Sequence, residues 1–345
     1  MPYQRKNSPI WYASFTDATG RRVRRSTGTT DRKEAEAIEA KWKADAFRKR
    51  HWNEEPQRSF DELLILYFTE RAPQLRSADT LRHYAKKLRA AFGGNMLESI
   101  TPGAIRAYSA QRLDDGIKSS TINRELSLLS SAIEYARKEH EWDIANPVTG
   151  RKLPEPESRI RWITHAEASK LVAVSPAHLA DFIKLALNTG CRRNELLKME
   201  WNRIDLEGSI MYLNAVHTKT GKRRSIPLNP EARKAVLNRA RYRAEQCPDS
   251  PWLFAHDDGK RLQSVKRSFK TACRKAGIED FRVHDLRHTC ASWLVMDGVP
   301  LTTIRDLLGH SSVRMTEKYA HLNPEMVRDA VNALAQIGHR ADTTK

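Results

Sequence analysis

Residues 284–294 read HDLRHTCASWL, and two chemistries compete for them. Leu286, Cys290 and Trp293 recur at helical spacing, so the stretch predicts a helix with one buried side. On such a helix His284 and His288 lie one turn apart, the arrangement by which zinc peptidases hold their metal. His284 and Arg287 also lie about one turn apart, a pairing suited to a phosphate. The zinc pattern needs a glutamate directly after the first histidine, as general base, and a third ligand downstream. Here that position is Asp285, one methylene shorter, and Arg287 sets a permanent cation beside the proposed ligands. The residues favour phosphate, and His288 then reads as a supporting or structural residue.

The rest of the chain agrees with a polyanionic partner. Its 345 residues are enough for two or three domains. Lys and Arg number 60 against 42 Asp and Glu, a formal net charge of +18, which points to nucleic acid before membrane. No stretch approaches the ~20 apolar residues of a membrane span, and the N-terminus lacks the apolar run of a signal peptide. Cys191, Cys247, Cys273 and Cys290 form no C-x-x-C pair, as expected of free thiols in a reducing cytoplasm rather than of a cysteine zinc site or disulfide frame.

Organisation follows from turn and helix signals. Residues 10–28, IWYASFTDATGRRVRRSTG, are two short runs about a Gly-containing turn, a hairpin signature. Arg21, Arg22, Arg24 and Arg25 straddle Val23, which predicts basic groups on both faces of the second run, a shape that can enter a DNA groove. A helix follows, and residues 51–58 read as a linker. From Ser59 the pattern is helical throughout: Ser59 and Glu62 form a capping-box pattern, Pro102 opens one helix, and Ile122, Leu126, Leu129 and Ile133 stripe another. Residues 146–159, NPVTGRKLPEPESR, are Pro-rich and charged and mark a boundary. Beyond them helices alternate with a strand pair around Thr220-Gly221.

Further basic and nucleophilic groups recur in this last part. Arg192 follows the Gly190 turn, Lys219 lies at the hairpin tip, His310 follows a helix stop at Gly309, and Tyr319 comes nine residues later, on an expected short helix. Four segments carry these groups, LALNTGCRRNELLKMEW, HTKTGKRRSIPL, HDLRHTCASWL and LLGHSSVRMTEKYAH. In order and spacing they resemble the catalytic domain of the tyrosine recombinases, the phage-integrase family. The helical stretch with SSTINRELSLLSSAIEYA resembles that family's core-site-binding domain, and the N-terminal stretch resembles, more weakly, its small β-sheet arm-binding domain.

The resemblance implies a multidomain, mainly α chain with small β elements. An arm-type DNA-binding domain of three strands plus a helix would span 1–55, and an all-helical core-site domain 59–147. A linker at 148–160, a mixed α+β catalytic domain at 161–335 and a tail at 336–345 would follow. It implies Tyr319 as nucleophile, Arg192 and Arg287 as phosphate-binding arginines, Lys219 as the hairpin lysine (with Lys222 as its competitor), His284 and His310 as the two histidines, and Glu195 as the supporting acid. Arg21, Arg22, Arg24 and Arg25 would contact DNA. An attacking phenolate makes a phosphodiester more anionic, and two forked guanidiniums suit that charge. The phenolic proton needs an acceptor, for which His284 and the cationic pocket are the available means, and Lys219 could donate to the departing 5′ oxygen.

The expected reaction needs no cofactor, no metal and no ATP, because bond energy is kept in a 3′-phosphotyrosine link. Expected partners are double-stranded DNA attachment sites and three further copies of the chain in a tetramer on DNA. A host DNA-bending protein and an excisionase are candidate accessory partners; no membrane is expected, and the location is the bacterial cytoplasm, at the nucleoid. After Tyr319, Asn323 and Pro324 open a helix striped by Val327, Ala330, Val331 and Leu334, which by resemblance would dock on a neighbouring subunit. The competing readings are a non-catalytic DNA-binding regulator, a resolvase or invertase of the same family, and a zinc hydrolase.

Overall fold

A computed structural model describes residues 1–5, 8–17, 19–52, 57–75, 77–156, 159–214 and 223–323, with isolated positions 328 and 332. The chain divides into two compact units, Met1–Glu157 and Ser158–Lys345. The described residues are mainly helical, with one small antiparallel sheet among those of each unit.

The first unit opens with strands β1 (Tyr3–Gln4), β2 (Trp11–Thr16) and β3 (Arg22–Ser26), paired antiparallel in that order. The register sets Thr16 opposite Arg22 and Ser14 opposite Arg24 on one face, and Phe15 opposite Val23 and Ala13 opposite Arg25 on the other. The second face packs on α1 (Arg32–Trp52), where Ala13 and Ala35 are fully buried and Phe15 meets Trp42 at 5.6 Å between ring centroids. Strand alternation therefore splits the arginines. Arg21, Arg22 and Arg24 are exposed, whereas Arg25 turns inward. It lies 5.1 Å from the Trp42 ring, and its Nη2 is 3.3 Å from Nδ1 of His140. The expectation of freely presented basic groups on both faces is corrected for Arg25, which is a packing residue.

The helical part comprises α2 (Phe60–Leu66), α3 (Ala78–Phe92), α4 (Pro102–Asp114) and α5 (Ser119–His140). The Ser59 side chain accepts from the Glu62 N–H at 3.1 Å and starts α2. The helix does not continue to Ala72 as the pattern predicts. It passes at Tyr67 into a π-helical turn and then a short 3₁₀ turn over Ala72–Gln74, where Pro73 has no N–H to donate to the carbonyl of Thr69. Phe60, Leu63, Leu88, Ile105, Ile122, Leu126 and Leu129 form the core. One buried carboxylate, Glu125, is satisfied by the Tyr108 hydroxyl at 2.7 Å and by Arg112 at 2.8 Å, as burial of a charge requires.

The second unit is built around α7 (Ala177–Thr189), which packs on α6 (His165–Ala173), α9 (Pro230–Gln246) and α11 (Asp285–Met296). The central helix is apolar on nearly every side, with Leu179, Phe182, Ile183 and Leu185 fully buried. Its one buried carboxylate, Asp181, meets Arg239 of α9 at 2.7 Å and Asn238 at 2.9 Å. Strands β4 (Ile204–Asp205), β5 (Ile210–Leu213) and β6 (Arg224–Pro227) form the second sheet, with Met211 opposite Ile226 on the core side. The short α8 (Arg193–Leu197) follows α7. The other helices described in this unit are α10 (Lys266–Ala276), α12 (Leu301–Leu308) and α13 (Arg314–Glu317). The hairpin tip carrying Lys219 and Lys222, and the stripe Val327, Ala330, Val331 and Leu334, lie outside the described residues. All four cysteines are buried and free.

Candidate active site

Two glycine turns bring the basic groups together. Gly190 ends α7 in the left-handed region (φ 60°), and a Cβ there would meet Leu308 Cδ2 at 2.3 Å; only glycine permits that turn and that approach. Arg192 thereby becomes the N-cap of α8. Its backbone N–H and its Nη1 both donate to Glu195, at 2.7 and 2.9 Å, and its Nη2 donates to the Gly309 carbonyl at 3.2 Å. Gly309 ends α12 in the same left-handed way (φ 65°) and delivers His310 to the site.

Arg287, on the first turn of α11, is only 4% exposed. Its Nη1 donates to the Gly190 carbonyl and its Nη2 to the Leu308 carbonyl, each at 2.7 Å. Burial, then the Arg192 and Arg224 guanidiniums, push its pKa down to about 10, so it stays charged at neutral pH. The carbonyl end of α12 is the negative end of a helix dipole, and it gathers both arginines expected from the sequence. Glu195, 2% exposed, is the carboxylate between them.

His284 is the N-cap of α11 and is exposed. Its ring stands 5.1 Å from that of His288 at 85°. His310 Nδ1 is 2.8 Å from the Thr316 hydroxyl, which is fully buried and ties the His310 turn to the segment bearing the tyrosine. Burial, followed by Arg287 and Arg192, pushes His310 down to about 3. His310 is therefore neutral at pH 7 and able to donate one N–H and accept at the other nitrogen.

Tyr319 sits just past α13, not on it, and is 1% exposed. Ala291, Val295, Ile304 and Leu308 close around it, and Lys318 lies 4.9 Å from its ring. Its hydroxyl is hydrogen-bonded to Nδ1 of His288. Of the two readings of His288, this contact favours the supporting one, and it corrects one expectation: His288 rather than His284 touches the phenol. Burial, then Lys318 and His284, push His288 down to about 3, so its ring is neutral. Burial raises the Tyr319 pKa, and the resting pair is a neutral phenol on a neutral imidazole.

The arrangement also bears on the metal reading of HDLRH. Asp285, which would stand in for the general base, accepts from Arg159 Nη2 and from the Arg282 backbone N–H, both at 2.8 Å. Among the described residues no group of three or more His, Cys, Asp or Glu could hold a metal ion.

Two residues of the site were missed from the sequence, His288 as the tyrosine's partner and Arg224. Arg224 lies on β6, where alternation with Ile226 puts it on the buried face, and an arginine in that register is a readable sign of a paired buried charge. Beside the His310 turn lies a cavity of about 440 Å³ lined by Arg223, Arg224, Arg305, Gly309, His310 and Ser311. A second, of about 790 Å³, runs along α10 and is edged by Arg193, Lys266, Lys270, Arg274, Arg282 and His284. Asp306 also lines the first and Glu279 and Asp280 the second, so arginine and lysine outnumber the carboxylates in both.

The chain matches known proteins along most of its length. The phage integrase family is matched over residues 161–326, and two N-terminal phage integrase domains over 3–51 and 56–153. The integrase of Salmonella phage P22 is 28% identical, over 96% of this chain and 94% of that protein. The tyrosine recombinase XerD of Rhizobium meliloti is also 28% identical, over 74% of this chain and 88% of its own. Among solved structures, a lambda integrase tetramer bound to a Holliday junction shares the fold with a TM-score of 0.62 at 24% identity. That match covers 92% of this chain and 94% of the other. The Tn1549 transposon integrase in complex with transposon right end DNA gives 0.68 at 20% identity, over 79% and 98%. The chain belongs to the phage integrase family and is a tyrosine recombinase, a site-specific enzyme that cuts and rejoins DNA.

Proposed function

We propose that this recombinase is the integrase of a phage or other integrative element and that Tyr319 is its nucleophile. The observation that carries this reading is the convergence of Arg192, Arg287 and His310 on the C-terminal turn of α12, with Tyr319 in contact with His288 behind them. In the proposed step the Tyr319 hydroxyl gives its proton to Nδ1 of His288 as its oxygen bonds to the scissile phosphorus and the bond to the 5′ oxygen breaks. Arg192 and Arg287 stabilise the added charge on the non-bridging oxygens, and His310 hydrogen-bonds one of them. Lys219 from the hairpin gives its proton to the departing 5′ oxygen. The product is a 3′-phosphotyrosine and a free 5′ hydroxyl, which attacks the phosphotyrosine of the partner duplex. Tyr319 is buried, so DNA entry must be accompanied by movement of the segment after His310.

Within the same proposal, residues 1–55 form an arm-type DNA-binding domain, with Arg21, Arg22 and Arg24 facing DNA. Residues 59–147 bind the core site, and 161–335 carry the chemistry. The described residues include no helix long and apolar enough to cross a membrane, and the proposed workplace is the bacterial cytoplasm, at the nucleoid. The assembly proposed is a tetramer on double-stranded attachment sites, consistent with the lambda tetramer on a junction, with a host DNA-bending protein and an excisionase as accessory partners. Denaturant-resistant capture of DNA by the wild type, and its loss with retained binding in Tyr319→Phe, tests the reading. Equal capture by both would end it.

A further inference from the structure

The site holds a third guanidinium that the proposed chemistry does not use. Arg224 has a side chain only 10% exposed, and it bridges the anchors of the two phosphate-binding arginines. Its Nη2 donates at 2.9 Å to Oε2 of Glu195, the oxygen that also accepts the Arg192 backbone N–H. Its Nη1 donates at 2.7 Å to the Leu308 carbonyl, which also accepts from Arg287. Its Nε is buried with no hydrogen-bond partner among the described residues, which costs free energy and marks the placement as one held by its surroundings. A Cβ on Gly309 would lie 2.2 Å from Arg224 Nη1, so the turn that delivers His310 is built against this side chain.

Charge decides what such a residue does. Glu195 is 2% exposed, so its carboxylate must be paired. Were Arg192 its sole partner, the pair would be mutually neutralising, and the Arg192 guanidinium would be held to Glu195 in the forked geometry that a phosphate also needs. With Arg224 sharing Oε2, Glu195 is satisfied by two cations, and Arg192, Arg287 and Arg224 together exceed Glu195 by two positive charges. A phosphodiester brings one negative charge, and its five-coordinate transition state brings a second.

We propose that Arg224 is a positioning residue for strand cleavage: by satisfying Glu195 and the Leu308 carbonyl it leaves the Arg192 guanidinium available to the phosphate and fixes the Gly309–His310 turn. This rests on the reading of Arg192 as a phosphate-binding residue. Burial first, and then this cluster of guanidiniums, lowers the proton affinity of Arg287 and His310.

The test uses the full chain and two suicide substrates, one with the natural scissile phosphodiester and one with a methylphosphonate there, which lacks the charged oxygen. For Arg224→Met, single-turnover adduct formation on the diester should fall about 100-fold, roughly 2.7 kcal/mol of transition-state stabilisation. DNA affinity should stay within about threefold, and adduct formation on the methylphosphonate should also change by less than about threefold. Adding Glu195→Gln to Arg224→Met removes the carboxylate that would capture Arg192 and should restore diester cleavage about tenfold. A merely structural role predicts equal losses on both substrates and no recovery in the double variant, and either result overturns the proposal. So does diester cleavage within threefold of the wild type. If Arg224→Met does not fold, Arg224→Lys, which reaches Glu195 or Leu308 but not both, carries the same comparison between substrates. Adduct formation that persists in Tyr319→Phe would instead refute the underlying reading and leave a different signature from any Arg224 result.

Discussion

His288 and Tyr319 share a hydrogen bond inside a pocket that excludes nearly all water, Nδ1 of the imidazole to the phenolic oxygen. Among the described residues it is the only hydrogen bond of that hydroxyl. Replacing His288 with alanine leaves a buried phenol unsatisfied, at a cost of about 1–3 kcal/mol. It also removes the group placed to take the phenolic proton. We expect Tm to drop by several degrees and covalent capture to slow by about 100-fold, with His284→Ala slowing it less. Differential scanning fluorimetry and single-turnover capture check both; faster capture by His288→Ala would mean that the contact restrains the nucleophile instead.

Acid should weaken the second unit through two histidines held neutral. In the fold His288 and His310 titrate near about 3, because burial and the cations Lys318, Arg287 and Arg192 oppose the charged form, while an unfolded chain protonates histidine near ~6.5. Between those values the unfolded state binds more protons. The contribution to stability is therefore complete above about pH 6.5 and is lost progressively as pH falls toward about 3. Urea midpoints should decline from pH 7.5 to pH 5, and His310→Gln should make that decline shallower. An unchanged slope would show that His310 is not buried in its neutral form.

The Asp181–Arg239 pair joins α7 to α9 with both side chains 5% exposed. Asp181→Ala strands a buried guanidinium and should destabilise the fold by about 3–5 kcal/mol. Asp181→Asn, which keeps one acceptor, should cost clearly less. Chemical denaturation measures both, and equal small losses would place the pair in solvent.

The arginines of β3 should divide by face. Arg22→Ala and Arg24→Ala are expected to lower the salt dependence of DNA binding by about one unit of slope each. Arg25→Ala, which removes packing on Trp42 and the contact with His140, should reduce stability and leave that slope unchanged. Fluorescence anisotropy over a salt series separates the two behaviours. EDTA should leave strand cleavage intact, since no proposed step uses a metal ion.

Much of the site was legible because its residues are local signals. Gly190 before Arg192, Gly309 before His310, and the His284/Arg287 spacing each announce a turn or helix start, and the structure brings Arg192, Arg287 and His310 to one helix end. What escaped was set by long-range packing. That His288 would meet Tyr319, 31 residues on, depends on how the α12–α13 segment folds back across α11, which no local pattern encodes. The inward turn of Arg25 needed the β2–β3 register and the position of α1. The passage from α-helix to π turn at Tyr67 lies close to Pro73, a local signal that the continuous apolar spacing before it masks.

The most direct test is capture of DNA ends. Wild-type and Tyr319→Phe protein are incubated with fragmented DNA from the source cell, complexes are trapped in SDS, and the attached 3′ ends are sequenced. The account requires discrete ends joined to wild type and none to the variant, with both proteins binding DNA equally. Binding by both without capture by either, or capture that survives loss of the Tyr319 hydroxyl, would contradict it.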